Sequence, residues 1–132
     1  MKLLADTSAL LALYLRDERE HEKAKRFLQS RPEARLVLTE LILAELTTRI
    51  RSRAGTDRAV DAADRILRST RYEVVFLDEE LLRGALGEMS RFSDKRLSLT
   101  DCASFELMKR IGLSAAFTFD RDFRDCGFET VP

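Results

Sequence analysis

The sequence predicts an α/β fold: a three-layer α/β/α sandwich around a short, mostly parallel central sheet of four to five strands. Three observations point there. Apolar runs of strand length alternate along the chain with longer amphipathic stretches, the pattern of parallel strands covered by helices on both faces. Glycine and proline number only five and two, so loops are short and helix content is high. A chain of 132 residues with 45% hydrophobic residues can bury one core, and no repeat, low-complexity tract or linker divides it, so residues 1–132 form one domain.

The elements follow in order. "KLLA" is a short buried strand, and "SALLALYL" opens on a good N-cap and continues as a helix. "DEREHEKAKRFLQS" is a charged helix with an apolar stripe at Ala24, Phe27 and Leu28. "RLVLT" is the second strand, and Thr39 can cap "ELILAELTTRIRSR", whose apolar face is Ile42, Leu46 and Ile50. After Gly55, "TDRAVDAADRILRST" places Val60, Ala63 and Leu67 on one side of a fourth helix. "YEVVFLD" is a third strand and "EELLRGALGEMSRF" the helix after it. "SLTDCASFELMKRIG" is a helix with a glycine stop, its apolar half formed by Phe105, Leu107, Met108 and Ile111. "SAAFTF" is the fourth strand, and "FETV" a fifth at an edge.

Charge and cysteine content exclude more than they assign. Twenty-three basic and twenty-three acidic residues cancel, so net charge argues for no nucleic-acid partner. Cys102 and Cys126 have no metal-ligand spacing and form no disulfide framework, as expected of a reduced cytoplasmic protein. The apolar run Ala9 to Leu15 imitates a signal peptide, but Asp6 interrupts its approach and "RDERE" follows in place of a cleavage site. No run approaches membrane-spanning length, so no membrane association is expected.

Four carboxylates stand out by position. Asp6 and Asp120 directly follow the first and fourth strands, where parallel α/β sheets bind ligands. Glu45 and Asp101 lie on helices that flank that edge. Each has an ordinary alternative. Asp6 can be a helix N-cap, although Thr7 and Ser8 can do that without a full charge, leaving Asp6 free. Glu45 can pair with Arg49 one turn on. Asp101 can complete a capping box with Ser98, and Asp120 and Asp122 can belong to a turn. Glu40, in a first helical turn, only complements the helix dipole. Together, however, the carboxylates gather at one sheet edge, where they repel unless a cation compensates. Oxygen-only ligands suit Mg2+ or Mn2+. His21 lies in the solvated "EREHEK" stretch and is no ligand; no Ser-His-Asp, Cys-His or phosphate-loop motif is present.

"LLADTSALLALYL", "LVLTELILAELTTRI", "SLTDCASFELMKRIG" and "AAFTFDRDF" occur in the order and spacing of the PIN-domain family, and the chain resembles its VapC-type toxins over essentially its whole length. The resemblance implies a metal-dependent ribonuclease. It assigns the acidic cluster to Asp6, Glu45, Asp101 and Asp120, with Asp122 as a further acid acting through water or a second metal. Thr7, Ser8 and Thr118 match polar residues that line the cleft and orient the acids. One or two Mg2+ ions would be held by Asp6, Asp101 and Asp120, and Glu45 would complete the shell or act on the water. It further implies a VapB-type antitoxin partner, an RNA substrate and a homodimer, with Arg49 to Arg58 a candidate contact surface. Two other readings compete with it: a non-catalytic metal- or RNA-binding module of the same fold, and a receiver or phosphatase-like domain. For the latter Asp78 could serve as phosphoacceptor, but no Lys follows "SAAFTF".

Overall fold

A computed structural model describes residues 1–132. Five strands, β1 (Lys2–Ala5), β2 (Arg35–Thr39), β3 (Tyr72–Val75), β4 (Ala115–Phe117) and β5 (Glu129–Val131), form one sheet in the order β3-β2-β1-β4-β5. Every pairing is parallel. Seven helices connect them: α1 (Thr7–Tyr14), α2 (His21–Gln29), α3 (Glu40–Ala54), α4 (Thr56–Arg68), α5 (Glu79–Arg91), α6 (Leu99–Ile111) and α7 (Arg121–Asp125).

Because successive strand residues face opposite ways, the short strands build two separate cores. Leu3 and Ala5 of β1, Leu36 and Leu38 of β2, and Phe117 of β4 face α1 to α4. Leu4, Val37 and Ala116 face α5, α6 and Phe123 of α7. The first two crossovers therefore lie on one face and the last two on the other. The chain reverses its winding between β1 and β4, which are neighbours at the sheet centre. No helix is long and apolar enough to cross a membrane.

The expected apolar faces of α2 and α3 are buried as read, at Ala24, Phe27 and Leu28 and at Ile42, Leu46 and Ile50. In α4 the register is different. Ala59, Ala62 and Ile66 are buried, whereas Val60 and Leu67 are 62% and 57% exposed. Both stripes have the i, i+3, i+7 spacing and lie about 100° apart on the helix; the two alanines join Ile50 of α3 in one cluster. Ile111 is also largely exposed, in the last turn of α6 before the left-handed Gly112 cap. The segment after Asp120, for which a turn is the ordinary alternative, is the short helix α7.

Aromatic contacts fix this end of the molecule. Phe105 of α6 packs edge-on against Phe123 of α7 at 4.9 Å and stacks on Phe128, which leads into β5, at 5.2 Å. Phe123 follows Asp122 and is fully buried, and Phe105 lies one turn after Asp101. The hydrophobic contact that joins α6 to α7 thus sets the separation of two acids.

Candidate active site

The reversal between β1 and β4 leaves a crevice beyond their carboxyl ends, the usual ligand position in such sheets. A cleft of about 280 Å3 opens there, lined by Asp6, Thr7, Ser8, Glu45, Arg49, Arg96, Ser98, Asp101, Asp120 and Asp122. Every acid singled out in the sequence reaches it. Glu45 comes from the α1–α4 layer and Asp101 from the α5–α7 layer, while Asp6 and Asp120 end the central strands' turns.

Asp6 is only 4% exposed. Its Oδ2 accepts hydrogen bonds from the Ser8 hydroxyl at 2.7 Å, the Thr118 hydroxyl at 2.9 Å and the Ser8 amide at 3.3 Å. The Asp120 amide donates to Thr118 Oγ1 at 2.9 Å, and the Phe119 amide to Ser8 Oγ at 3.0 Å. Ser8 and Thr118 therefore tie the turn after β1 to the turn after β4 and orient Asp6, as the resemblance implied. The division of labour at the helix start is different from the expected one. Asp6 itself is the N-cap of α1, because a buried carboxylate needs donors and the Ser8 amide is an otherwise unpaired one. Thr7 does not touch Asp6; its buried hydroxyl has no partner.

Asp101 and Asp120 repeat this arrangement. Ser98 and Asp101 form a reciprocal capping box, with the Ser98 amide donating to Asp101 Oδ2 at 3.2 Å and the Asp101 amide to Ser98 Oγ at 3.1 Å. Asp120 caps α7, its Oδ1 accepting from the Asp122 amide at 2.9 Å. The capping role and a ligand role coexist, since each carboxylate uses one oxygen to fix its orientation and keeps the other. The three remaining oxygens, Oδ1 of Asp6 and Asp101 and Oδ2 of Asp120, accept no hydrogen bond within the chain.

The electrostatics are those of crowded like charges. Burial raises the Asp6 pKa, the Asp120 charge adds to this, and the Ser8 and Thr118 hydrogen bonds oppose it. Asp101 is pushed up to about 6, first by burial and then by the Asp6 charge, against the Ser98 bonds. Asp122 is also raised, by partial burial and by Asp120 and Asp125. One oxygen each of Asp101, Asp120 and Asp122 lie within 4.8 Å of one another. An ion–oxygen distance of about 2.1 Å puts opposite ligands about 4.2 Å apart, a spacing close to that of these three oxygens. Asp6 shares the cleft but lies outside this closest set.

Glu45 pairs loosely with Arg49, 3.7 Å away, while lining the cleft. Glu40 does more than complement a dipole: both its oxygens accept from the Leu77 amide, at 2.9 and 3.0 Å, holding the loop after β3. His21 donates from Nδ1 to the Ala12 carbonyl at 2.7 Å, joining α1 to α2 outside the cleft. Asp78 caps α5 through the Leu81 amide at 2.7 Å and does not line the acidic cleft, which speaks against the phosphoacceptor reading. Arg96 and Ser98 enter the cleft without having been singled out as site residues. A run of "DKRLS" between two helices carries no signal for that.

The PIN domain family matches residues 3–129. The chain belongs to the PIN-domain family. It is 32% identical over 129 residues to the 23S rRNA-specific endonuclease VapC20 of Mycobacterium tuberculosis, covering 98% of this chain and 97% of that protein. Ribonuclease VapC26 of the same organism is 28% identical over 90% of this chain and 87% of its own length. The crystal structure of VapC20, described as a sarcin-ricin loop cleaving toxin, superposes with a TM-score of 0.89 at 31% identity over 96% of this chain and 95% of that one. A chain of the Rickettsia felis VapBC2 structure, bound to a promoter DNA fragment, superposes at 0.70 with 10% identity over 99% of this chain and 98% of that one. At that identity the likeness is one of fold alone.

Proposed function

We propose that this PIN-domain chain is a metal-dependent endoribonuclease and the toxin of a VapBC-type pair. The observation that carries the proposal is the arrangement of the acids. Asp101, Asp120 and Asp122 stand within 4.8 Å beside the buried Asp6, an oxygen-only set with no histidine or cysteine. Likeness to the VapC ribonucleases over nearly the full chain supports the reaction class.

Asp101, Asp120 and Asp122 would hold a divalent cation, Mg2+ or Mn2+, with Asp6 contributing its free oxygen to the same charge cluster. When bound, the ion supplies a water of lowered pKa and stabilises charge on the departing oxygen of an RNA phosphodiester. Ser8, Thr118 and Ser98 keep the carboxylates oriented, so little reorganisation is needed when the site fills. Glu45 would orient or deprotonate the attacking water; its partly buried carboxylate on the α3 side of the cleft supports this role. No side chain is needed as a covalent nucleophile when a metal-activated water attacks.

The relative that cleaves the sarcin–ricin loop makes that stem-loop of 23S rRNA the first substrate to test. The same reading includes a VapB-type antitoxin partner, a homodimer and action in the cytoplasm; the toxin name of the relative supports the antitoxin partner. Incubation of the purified chain with ribosomal RNA and with the synthetic stem-loop tests the activity. Cleavage in Mg2+ that stops with EDTA and in Asp101→Asn is the expected result. Cleavage that survives either change refutes the metal mechanism.

A further inference from the structure

A cleft lined by Asp6, Glu45, Asp101, Asp120 and Asp122 repels a polyanion, and even one bound divalent cation leaves it negative. Two cations share its lining, Arg49 and Arg96. They come from opposite layers of the sandwich, Arg49 from α3 and Arg96 from the loop that precedes α6. Arg96 is exposed and makes no ion pair or hydrogen bond with the rest of the chain, unlike Arg53, Arg65, Arg68, Arg83 and Arg110. Its loop is anchored at both ends, by Phe92 against Phe105 at 6.4 Å and by the buried Leu97. Arg49 has a 56% exposed side chain, and its only partner is Glu45 at 3.7 Å. An exposed pair at that distance adds little stability, so a phosphate displaces it readily. Arginine's fork suits phosphate oxygens.

We propose that Arg49 and Arg96 are substrate-positioning residues that grip RNA phosphates on the two sides of the acid cleft. This rests on the ribonuclease reading and adds a second determinant to it. The carboxylates set where the bond breaks, and the two arginines hold the strand across that point. Phosphate contacts of this kind fix register without reading bases, so their loss weakens binding to all RNAs alike.

The test uses the full chain in two pairs of variants, Arg49→Gln and Arg96→Gln, and Arg49→Lys and Arg96→Lys, with Arg68→Gln as a single control. Arg68 is at the C-terminal end of α4, which leads into β3 at the opposite edge of the sheet. Binding of the fluorescein-labelled sarcin–ricin stem-loop and of an unrelated 12-nucleotide RNA is measured by anisotropy in EDTA over a salt series. Each Gln variant is expected to bind both RNAs roughly three- to ten-fold more weakly. The slope of log K against log salt is expected to fall by about 0.7 per arginine removed. Lys variants recover part of the loss, the Arg68 variant loses nothing, and in Mg2+ the Gln variants raise KM more than they lower kcat. Calorimetric Mn2+ affinity is not weakened in the Gln variants, which separates positioning from metal holding. Unchanged affinity and salt slope in both Gln variants overturn the proposal. A wild type that cleaves RNA alongside such variants leaves the ribonuclease reading standing. A wild type that binds but cleaves neither RNA in Mg2+ counts against the ribonuclease reading, whereas the phosphate grip of the two arginines is decided by the binding series alone.

Discussion

Asp101→Asn should make the metal-free protein more stable while removing its activity. Asp101 is half-buried beside Asp6 and Asp120, and its pKa rises from 3.8 to about 6. A carboxylate with a raised folded-state pKa favours the folded state fully only when protonated. That contribution is present below the unfolded pKa near 3.8 and is lost as pH rises through about 6. At pH 8 the ionised form therefore carries a cost. A shift of about two units corresponds to about 3 kcal/mol at most, and solvent screening of a partly exposed group reduces this to about 1–2 kcal/mol. Asparagine keeps an oxygen to accept the Ser98 amide, so the capping box survives. It also removes one charge that raises the energy of ionised Asp6. Thermal unfolding in EDTA at pH 8 should give a midpoint about 3–8 °C above wild type, and the gap should shrink towards pH 5. Saturating Mg2+ should reverse the order, because only the wild type gains strongly from binding. A variant less stable than wild type at pH 8 without metal would refute the picture of uncompensated carboxylates.

The other expectations follow from the same contacts. Asp6→Ala removes the α1 cap and leaves the Ser8 and Thr118 hydroxyls without their acceptor, so chemical denaturation should show a loss of about 1–3 kcal/mol; Asp6→Asn, which retains an acceptor, should lose less. Phe123→Ala opens a cavity against Phe105 at the join of α6 and α7, costing about 3–5 kcal/mol in the same assay. Even at temperatures where that variant stays folded its kcat should fall, since Asp122 adjoins the lost side chain. Protons compete with metal at Asp101, so calorimetric Mn2+ affinity should decline as pH drops from 7.5 through about 6.

Much of this was readable from the chain because the decisive patterns are local. The bounds of β1 and β2 match the apolar runs "KLLA" and "RLVLT", and the placement of Asp6 and Asp120 follows once those runs are strands. The topology then converts two distant sequence positions into neighbours. Readings failed where two local solutions were equally good and tertiary packing chose. In α4 the stripes at 59, 62 and 66 and at 60, 63 and 67 have the same spacing, and contact with α3 selects the first. Thr7 and Ser8 can each cap α1 without a charge; the fold caps it with Asp6 instead and uses the Ser8 and Thr118 hydroxyls to hold that carboxylate. Glu40 bonds Leu77, 37 residues away, a partner no helix wheel displays. The same limit hid Arg96, whose position at the cleft depends on how Phe92 and Leu97 seat its loop. Asp122 joined the closest acid set through the short helix α7, which a five-residue "RDFRD" does not announce.

The central claim is that these carboxylates form one metal centre, and anomalous diffraction from crystals equilibrated with Mn2+ tests it most directly. The account predicts a peak in the cleft, with oxygens of Asp101, Asp120 and Asp122 at about 2.1 Å and no peak in Asp101→Asn crystals. A cleft without Mn2+ in the wild type, or an ion bound away from these acids in protein that cleaves RNA, would contradict it.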